Sequence, residues 1–217
     1  MQISRVKRSK SAARRAYNRL SRVYDLLAGS SEAQFVHLGL EMLAVEAGDT
    51  VLEIGCGTGK AAWELCHHTE RVYGLDLAPG MLQVAYERLA KDDLEFRVHL
   101  LCGDGAALPY PNLSFSALFM SFTLELFDTP EIPLVLAECQ RVLKPGGRLG
   151  VVAMLKTVHP RWIIRLYEWF HDHFPTYVDC RPIYAQGMIQ AAGFRLEKRL
   201  VRSMWGLPVE LVMASKV

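Results

Sequence analysis

Six residues with a regular spacing raise the chemical question. In "VLEIGCGTGK", residues 51–60, Glu53 sits inside an apolar run that ends in Gly55, Gly57 and Gly59. Glycine at such a turn lets main chain come close to a ligand, because no Cβ holds it away. Asp76 closes the run "VYGLD", 23 residues after Glu53, where a carboxylate accepts both hydroxyls of a ribose. Asp104 closes a third run in "LLCGD". The alternation of these acids with apolar runs predicts a nucleotide-like ligand held at one edge of a sheet. Two familiar phosphate motifs are absent. The dinucleotide fingerprint needs a third glycine at position 60, which is Lys60, and no G-x-x-x-x-G-K-[ST] loop is present.

The elements that must carry these residues alternate in type. Strands are predicted at Thr50–Ile54, Val72–Leu75, Glu95–Leu101, Ser116–Phe122 and Leu149–Met154, with helices at Thr58–His68, Pro79–Ala90 and Pro130–Leu143. "KPGG" at 144–147 reads as a helix stop. Short apolar strands alternating with helices indicate a parallel sheet covered on both faces. A last helix, Ile183–Ala192, precedes strands at about 194–202 and 209–216, whose short connection makes them antiparallel. The expected fold is therefore α/β, a doubly wound, mostly parallel seven-stranded sheet with its last strand antiparallel. Ahead of it, Tyr17, Leu20, Tyr24 and Leu27 mark one face of a helix over Ala16–Leu27. Gly29-Ser30-Ser31 breaks it, and Ser31 is a candidate N-cap for a helix to Val45.

At 217 residues with 51% hydrophobic and 22% charged content, the chain reads as one globular domain. The expected division is a basic arm over 1–15 and a single domain over 16–217, with a helical cap at 16–46 and a lid or substrate segment at 156–182. No run is long and apolar enough to span a bilayer, and polar and basic residues occupy the place of a signal peptide. Five widely spaced cysteines with no C-x-x-C pair argue for reduced thiols, a cytoplasmic location and no metal site. The first 22 residues hold eight Lys/Arg and no acid, leaving 17 basic against 23 acidic residues in the remainder. Such an arm suits anionic lipid or nucleic acid, or is a solvated leader.

In order and spacing, "VLEIGCGTG", "VYGLDLAPGMLQVA", "CGDGAALPYPNLSFSALFMSF" and "ECQRVLKPGGRLGVV" resemble the successive motifs of class I S-adenosylmethionine-dependent methyltransferases. The likeness covers roughly 48–155, is greatest to the UbiE/COQ5-like (type 11) branch, and extends to "YNRLSRVYDLLAG" upstream. It implies a Rossmann-like methyltransferase fold and S-adenosyl-L-methionine as cofactor, with S-adenosyl-L-homocysteine as product. Gly55, Cys56 and Gly57 would then lie against the methionine portion, with Glu53 orienting the loop and amino group. Asp76 would hold the ribose diol, and Leu77 and Met81 would wall the adenine. Gly103, Asp104, Gly105 and Ala106 would address its amino group and ring edge, Ser121 and Phe122 would line the reaction chamber, and Tyr24 would close over the cofactor.

Transfer from a sulfonium is an in-line displacement, so alignment is the protein's main task. Dispersal of the sulfonium charge suits aromatic walls, for which Phe122, Phe127, Trp162, Tyr167 and Trp169 are available. A base is needed only where the acceptor must lose a proton. His159 and Glu125 are the first candidates, followed by His171, His173 and Asp179. The segment 156–182 carries Trp162, Leu166 and Trp169 at helical spacing, a stripe that docks on the core or faces an apolar substrate. With the basic arm, it points to a small or lipid-like acceptor, of quinone-precursor or phospholipid type, and to peripheral contact of residues 1–22 with the inner face of an anionic membrane. The branch's Asn after the Tyr-Asp pair is replaced near Ala28, and its Glu after "KPGG" corresponds to Ala153, so phospholipid N-methylation and a soluble acceptor stay open. The competing classes are a non-catalytic S-adenosylmethionine-binding protein and a Rossmann-type NAD oxidoreductase. A nucleic-acid partner is not expected, because no N/D-P-P-Y/F motif is present.

Overall fold

The computed structural model describes residues 5–6, 8–27, 29–157, 164, 167, 169 and 180–217. Seven strands form one sheet: β1 (Thr50–Ile54), β2 (Arg71–Asp76), β3 (Val98–Cys102), β4 (Phe115–Ser121), β5 (Leu143–Met154), β6 (Phe194–Met204) and β7 (Leu207–Lys216). Their order is β3-β2-β1-β4-β5-β7-β6. Only β7 runs against the rest, pairing antiparallel with β5 and β6. This is the expected doubly wound sheet. The chain leaves β1 towards β2 on one side and returns beside β1 as β4 on the other. That reversal opens a crevice at the carboxyl ends of the strands, where open α/β sheets bind ligands.

Side-chain alternation supplies a core on each face. Leu52, Ile54, Leu118, Met120, Leu149 and Val151 pack one way, against Val135, Leu136 and Cys139 of α6 (Ile132–Val142) and Ile189 of α7 (Ala185–Ala191). Val51, Ala117, Phe119 and Val152 pack the other way, against Phe35 and Leu43 of α3 (Gly29–Leu43), Ala62 and Leu65 of α4 (Lys60–Leu65) and Leu89 of α5 (Pro79–Leu89). Phe119 is fully buried there, and truncating such a side chain costs about 3–5 kcal/mol.

The N-terminal region departs from expectation. α1 spans Lys10–Leu20, six residues earlier than the predicted start, so a boundary at 15/16 falls inside a helix. Ser9 caps it, its hydroxyl accepting from the Ala12 amide at 3.3 Å, and Ala, Lys and Arg are good helix formers. A turn at 21–23 separates it from α2 (Tyr24–Leu27), which replaces the single predicted helix. Ser31 lies inside α3, not at its cap. "KPGG" belongs to β5, where Gly146 at φ 72° and a shift of register opposite Phe115–Ala117 absorb the irregularity. β3 starts at Val98 and not at Glu95, after a 3-10 turn at Ala90–Asp92.

Candidate active site

The crevice between β1, β2 and β4 holds a cavity of about 380 Å³, within the usual range for small ligands. Its floor is the turn from β1 to α4. The amides of Gly55 and Cys56 both donate to the Leu75 carbonyl, at 2.7 and 3.0 Å, which draws the turn across the end of β2. Gly55 and Gly57 hold φ of 74° and 52°, in the left-handed region. A Cβ on Gly55 would meet the Thr123 side chain at 2.4 Å, so bulk is excluded there by β4's end. A Cβ on Gly57 would meet nothing within 4 Å. That glycine therefore presents bare main chain to open space.

The three predicted acids converge on this cavity. Asp76 ties two turns together, accepting from the Gly57 amide at 2.9 Å and the Ala78 amide at 2.8 Å. Burial raises its pKa against these hydrogen bonds. Glu53 is 3% exposed, and its Oε2 has no hydrogen-bond partner. Burial pushes its carboxyl well above the usual range, the Ala62 amide opposes the shift, and the Asp76 charge adds to it. A buried carboxylate oxygen without a donor at a cavity wall fits an ammonium group. Cys56, between these acids, is buried with its thiol pKa raised well above normal, first by burial and then by the charges of Glu53 and Asp76. That makes it a wall residue and not a nucleophile. Asp104 accepts from the Ala106 amide at 3.0 Å, and Lys10 Nζ lies 2.5 Å from its Oδ2. Leu77, Met81, Gly103 and Gly105 complete this side, while Ala106 lies behind the lining and acts through its amide.

The basic arm forms a strap over the mouth. Arg5 makes a forked pair with Asp128, with contacts of 2.6–2.9 Å, and the Val6 amide bonds the same carboxylate at 3.0 Å. The Arg5 hydrogen bonds hold the Asp128 carboxyl well below the ordinary carboxylate range. Lys10 bridges Asp104 and Glu131, at 2.5 and 2.7 Å. Burial alone would lower its pKa, but these two acids outweigh it and keep the ammonium charged. Lys10, Ala13, Tyr17 and Tyr24 all line the cavity. α2 is anchored by Asp25, which accepts from Thr58 Oγ1 at 2.8 Å and pairs with Lys60 at 3.2 Å and with Arg88. The Tyr-Asp pair thus divides its work: Tyr24 faces the cavity and Asp25 fastens α2 to the glycine turn.

The far wall comes from the chain after β4. Ser121, Phe122 and Phe127 line the cavity. Phe122 takes φ 49°, a costly conformation for a bulky residue, fixed by its amide bond to the Val152 carbonyl at 2.8 Å and by edge-on packing against Phe35. Arg181 is 0% exposed and supports the wall from behind. Its guanidinium donates to the Glu125 and Phe127 carbonyls at 3.0 and 2.5 Å and to Thr129 Oγ1 at 2.9 Å.

Glu125 requires correction as a candidate base. It is fully buried, does not line the cavity, and its Oε1 accepts from the Met154 amide at 3.1 Å, so it secures the end of β5. His159, His171, His173, Asp179 and Trp162 lie outside the described residues. Tyr167 donates to the Cys180 carbonyl at 2.6 Å, and Trp169 is exposed. Among the described residues no cluster suits a metal ion, and no helix is long and apolar enough to cross a membrane.

Residues 51–147 match a family described as a methyltransferase domain. A demethylmenaquinone methyltransferase of Tropheryma whipplei strain Twist is 36% identical over 163 residues, covering 71% of this chain and 64% of the relative. A protein of the same name from Lactobacillus johnsonii is 34% identical over 139 residues, 62% of this chain and 55% of the relative. The chain thus spans somewhat less than two thirds of the length of these relatives. Among solved structures, the [4+2]-cyclase SpnF superposes with a TM-score of 0.78 at 18% identity, covering 96% of this chain and 97% of that one. A putative methyltransferase from Bacillus halodurans gives 0.71 at 16%, covering 83% of this chain and 98% of that one. At these identities the superpositions show a shared fold.

Proposed function

From the methyltransferase domain that residues 51–147 carry, we propose that the protein binds S-adenosylmethionine in this cavity and methylates a small, quinone-like acceptor. The observation that carries the reading is one cavity ringed by Glu53, Asp76 and Asp104, with the bare main chain of Gly57 between them. The residues fit the cofactor. Glu53 offers a buried, donor-less oxygen to its amino group, and Gly57 leaves room for its chain. Asp76 would hold the ribose diol, and Leu77 and Met81, which line the same cavity, would wall the adenine. When bound, the cofactor supplies a methyl group on a positively charged sulfur. The chain's own contribution is alignment, worth on the order of 7–11 kcal/mol when reacting atoms are held in line. Phe122 and Phe127 contribute apolar ring surface to the cavity lining.

Asp104 is engaged by Lys10 through Oδ2 and by the Ala106 amide through Oδ1, and its carboxylate keeps lone pairs for a further donor such as the adenine amino group. Where the acceptor must lose a proton, the base role falls to His159, which follows β5 in sequence. The quinone-like acceptor is supported by the name the relatives share and by the apolar side chains of Val36, Phe122, Leu126 and Phe127, which line the cavity. An NAD oxidoreductase is disfavoured by the family match and by Lys60 in place of the third glycine.

The test is transfer of a labelled methyl group from S-adenosylmethionine to three acceptors offered separately: a demethylated prenyl quinol, phosphatidylethanolamine and a soluble phenol. Label in the quinol is expected. Label in another acceptor alone would overturn the acceptor class, and cofactor binding without label in any of them would overturn transfer.

A further inference from the structure

The strap has a second face, and the sheet has a second projection beside it. Lys10, Ala13 and Tyr17 turn one side of α1 to the cavity. The opposite side carries Arg15 and Arg19, one turn apart, and Arg14 is exposed on the flank next to Lys10; none of the three has an ion-pair partner among the described residues. Elsewhere the arginines commonly sit against acids, as Arg88 does with Asp25, Arg141 with Glu138, Arg148 with Asp49 and Arg199 with Glu210. Three neighbouring guanidiniums left facing solvent on one helix are a patch of unspent positive charge.

The projection is the tip of the β6–β7 hairpin. Met204 pairs with Leu207, so Trp205 and Gly206 form a two-residue turn, with φ of 52° and 84°. Positive φ at both positions is the turn that Asn-Gly or Gly-Gly makes at least cost. A tryptophan at the first position is strained, and its side chain is 72% exposed, with no core contact to offset that strain. Conformational cost and apolar exposure together mark an indole placed for something outside the chain.

The topology puts both features on one face. β7 runs antiparallel to β5, with Met154 opposite Val209, so the hairpin tip projects past the carboxyl end of β5. That is the edge where the cavity opens. From β1 to β6 is four strand positions, roughly 19 Å at the usual strand spacing. Exposed arginines suit anionic headgroups, and an exposed indole suits the boundary between headgroups and acyl chains.

We propose that this face docks on an anionic lipid bilayer, with the outer arginines of α1 and the Trp205 tip as its two contacts, so that the cavity opens toward the membrane surface. This deepens the function proposed above and rests on it for the apolar character of the acceptor. The chain's net charge of only +2 gives no broad positive field of the kind that tracks a nucleic-acid backbone, and the projecting indole favours lipid.

The experiment is sedimentation of the full chain with phosphatidylcholine vesicles, with and without phosphatidylglycerol, at low and high salt. Indole quenching by brominated acyl chains is read in the same samples. Two variants are compared, Arg14→Gln/Arg15→Gln/Arg19→Gln together and Trp205→Asn, which relieves the turn. Anionic vesicles should bind the wild type in a salt-dependent way, and the triple variant about 100-fold more weakly at low salt. Trp205→Asn should abolish the quenching. Variants that bind and quench as the wild type does, no vesicle binding, or retention on duplex RNA under conditions that leave vesicles free would each overturn the proposal. Calorimetric titration with S-adenosylhomocysteine on the same preparations keeps the two claims apart. Cofactor binding without vesicle binding refutes docking alone, and vesicle binding without cofactor binding refutes the cavity reading alone.

Discussion

Glu53 shows how one side chain sets a measurable property of the site. Its carboxyl is buried, lacks a donor on one oxygen and has a pKa raised by that burial. An acid whose folded pKa exceeds its unfolded value binds more protons when folded, so the ligand-free protein loses stability as pH rises from the ordinary Glu value through the folded one. Holding an ammonium reverses the preference, because the carboxylate is then the favoured form. Affinity for S-adenosylhomocysteine is therefore expected to rise with pH across that window, and Glu53→Gln to flatten the rise. Titrations at a series of pH values check this; an unchanged slope in the variant would remove Glu53 from the binding account. Spacing made Glu53, Asp76 and Asp104 legible, because each ends or nearly ends an apolar run. Lys10, Asp25 and Arg181 were not legible as partners. They act on residues 94, 33 and 52–56 positions away, and no local pattern records which acid or carbonyl a cation will meet.

At the scale of elements, the N-terminal strap and the loop after β4 decide how the cavity is closed. The strap rests on exposed or half-exposed ion pairs from Arg5 and Lys10, which salt weakens. Dissociation of S-adenosylhomocysteine is expected to quicken several-fold between roughly 0.05 and 0.5 M salt. A chain lacking residues 1–11 should release it faster and lose most of that salt dependence, as stopped-flow measurement would show. Equal rates in both chains would mean that the strap does not gate the site. The loop after β4 depends on Arg181, whose removal leaves buried carbonyls without donors. Arg181→Met should cost at least about 2 kcal/mol in denaturant unfolding. The eight bases of the first 22 residues were plain in the sequence, and their solvated or lipid-facing readings were both natural. What the sequence lacked was the acidic rim of Asp104, Asp128 and Glu131, assembled only when the sheet carries the segments after β3 and after β4 to the same edge.

For the whole molecule, the alternation of strand and helix signals made the sheet legible, including its antiparallel last strand, because period-2 burial and short connections leave few topologies. The order of strands around β1 creates the crevice, and the first turn supplies glycine main chain to it. Element ends were less legible. "KPGG" follows the end of α6 at once and is carried in β5 as a bulge. Leu143 and Arg148 pair with Phe115 and Ala117 of β4, with no β4 partner for 144–147, so the local turn signal persists inside the strand. Fold alone does not fix the reaction, since a cyclase shares this architecture. The claim that matters is therefore about the cavity. Calorimetric titration of S-adenosylhomocysteine into the wild type and Asp76→Ala tests it most directly. The account predicts one site per chain, bound about tenfold or more weakly by the variant. Absence of binding to the wild type, or equal affinity in both proteins, would contradict it.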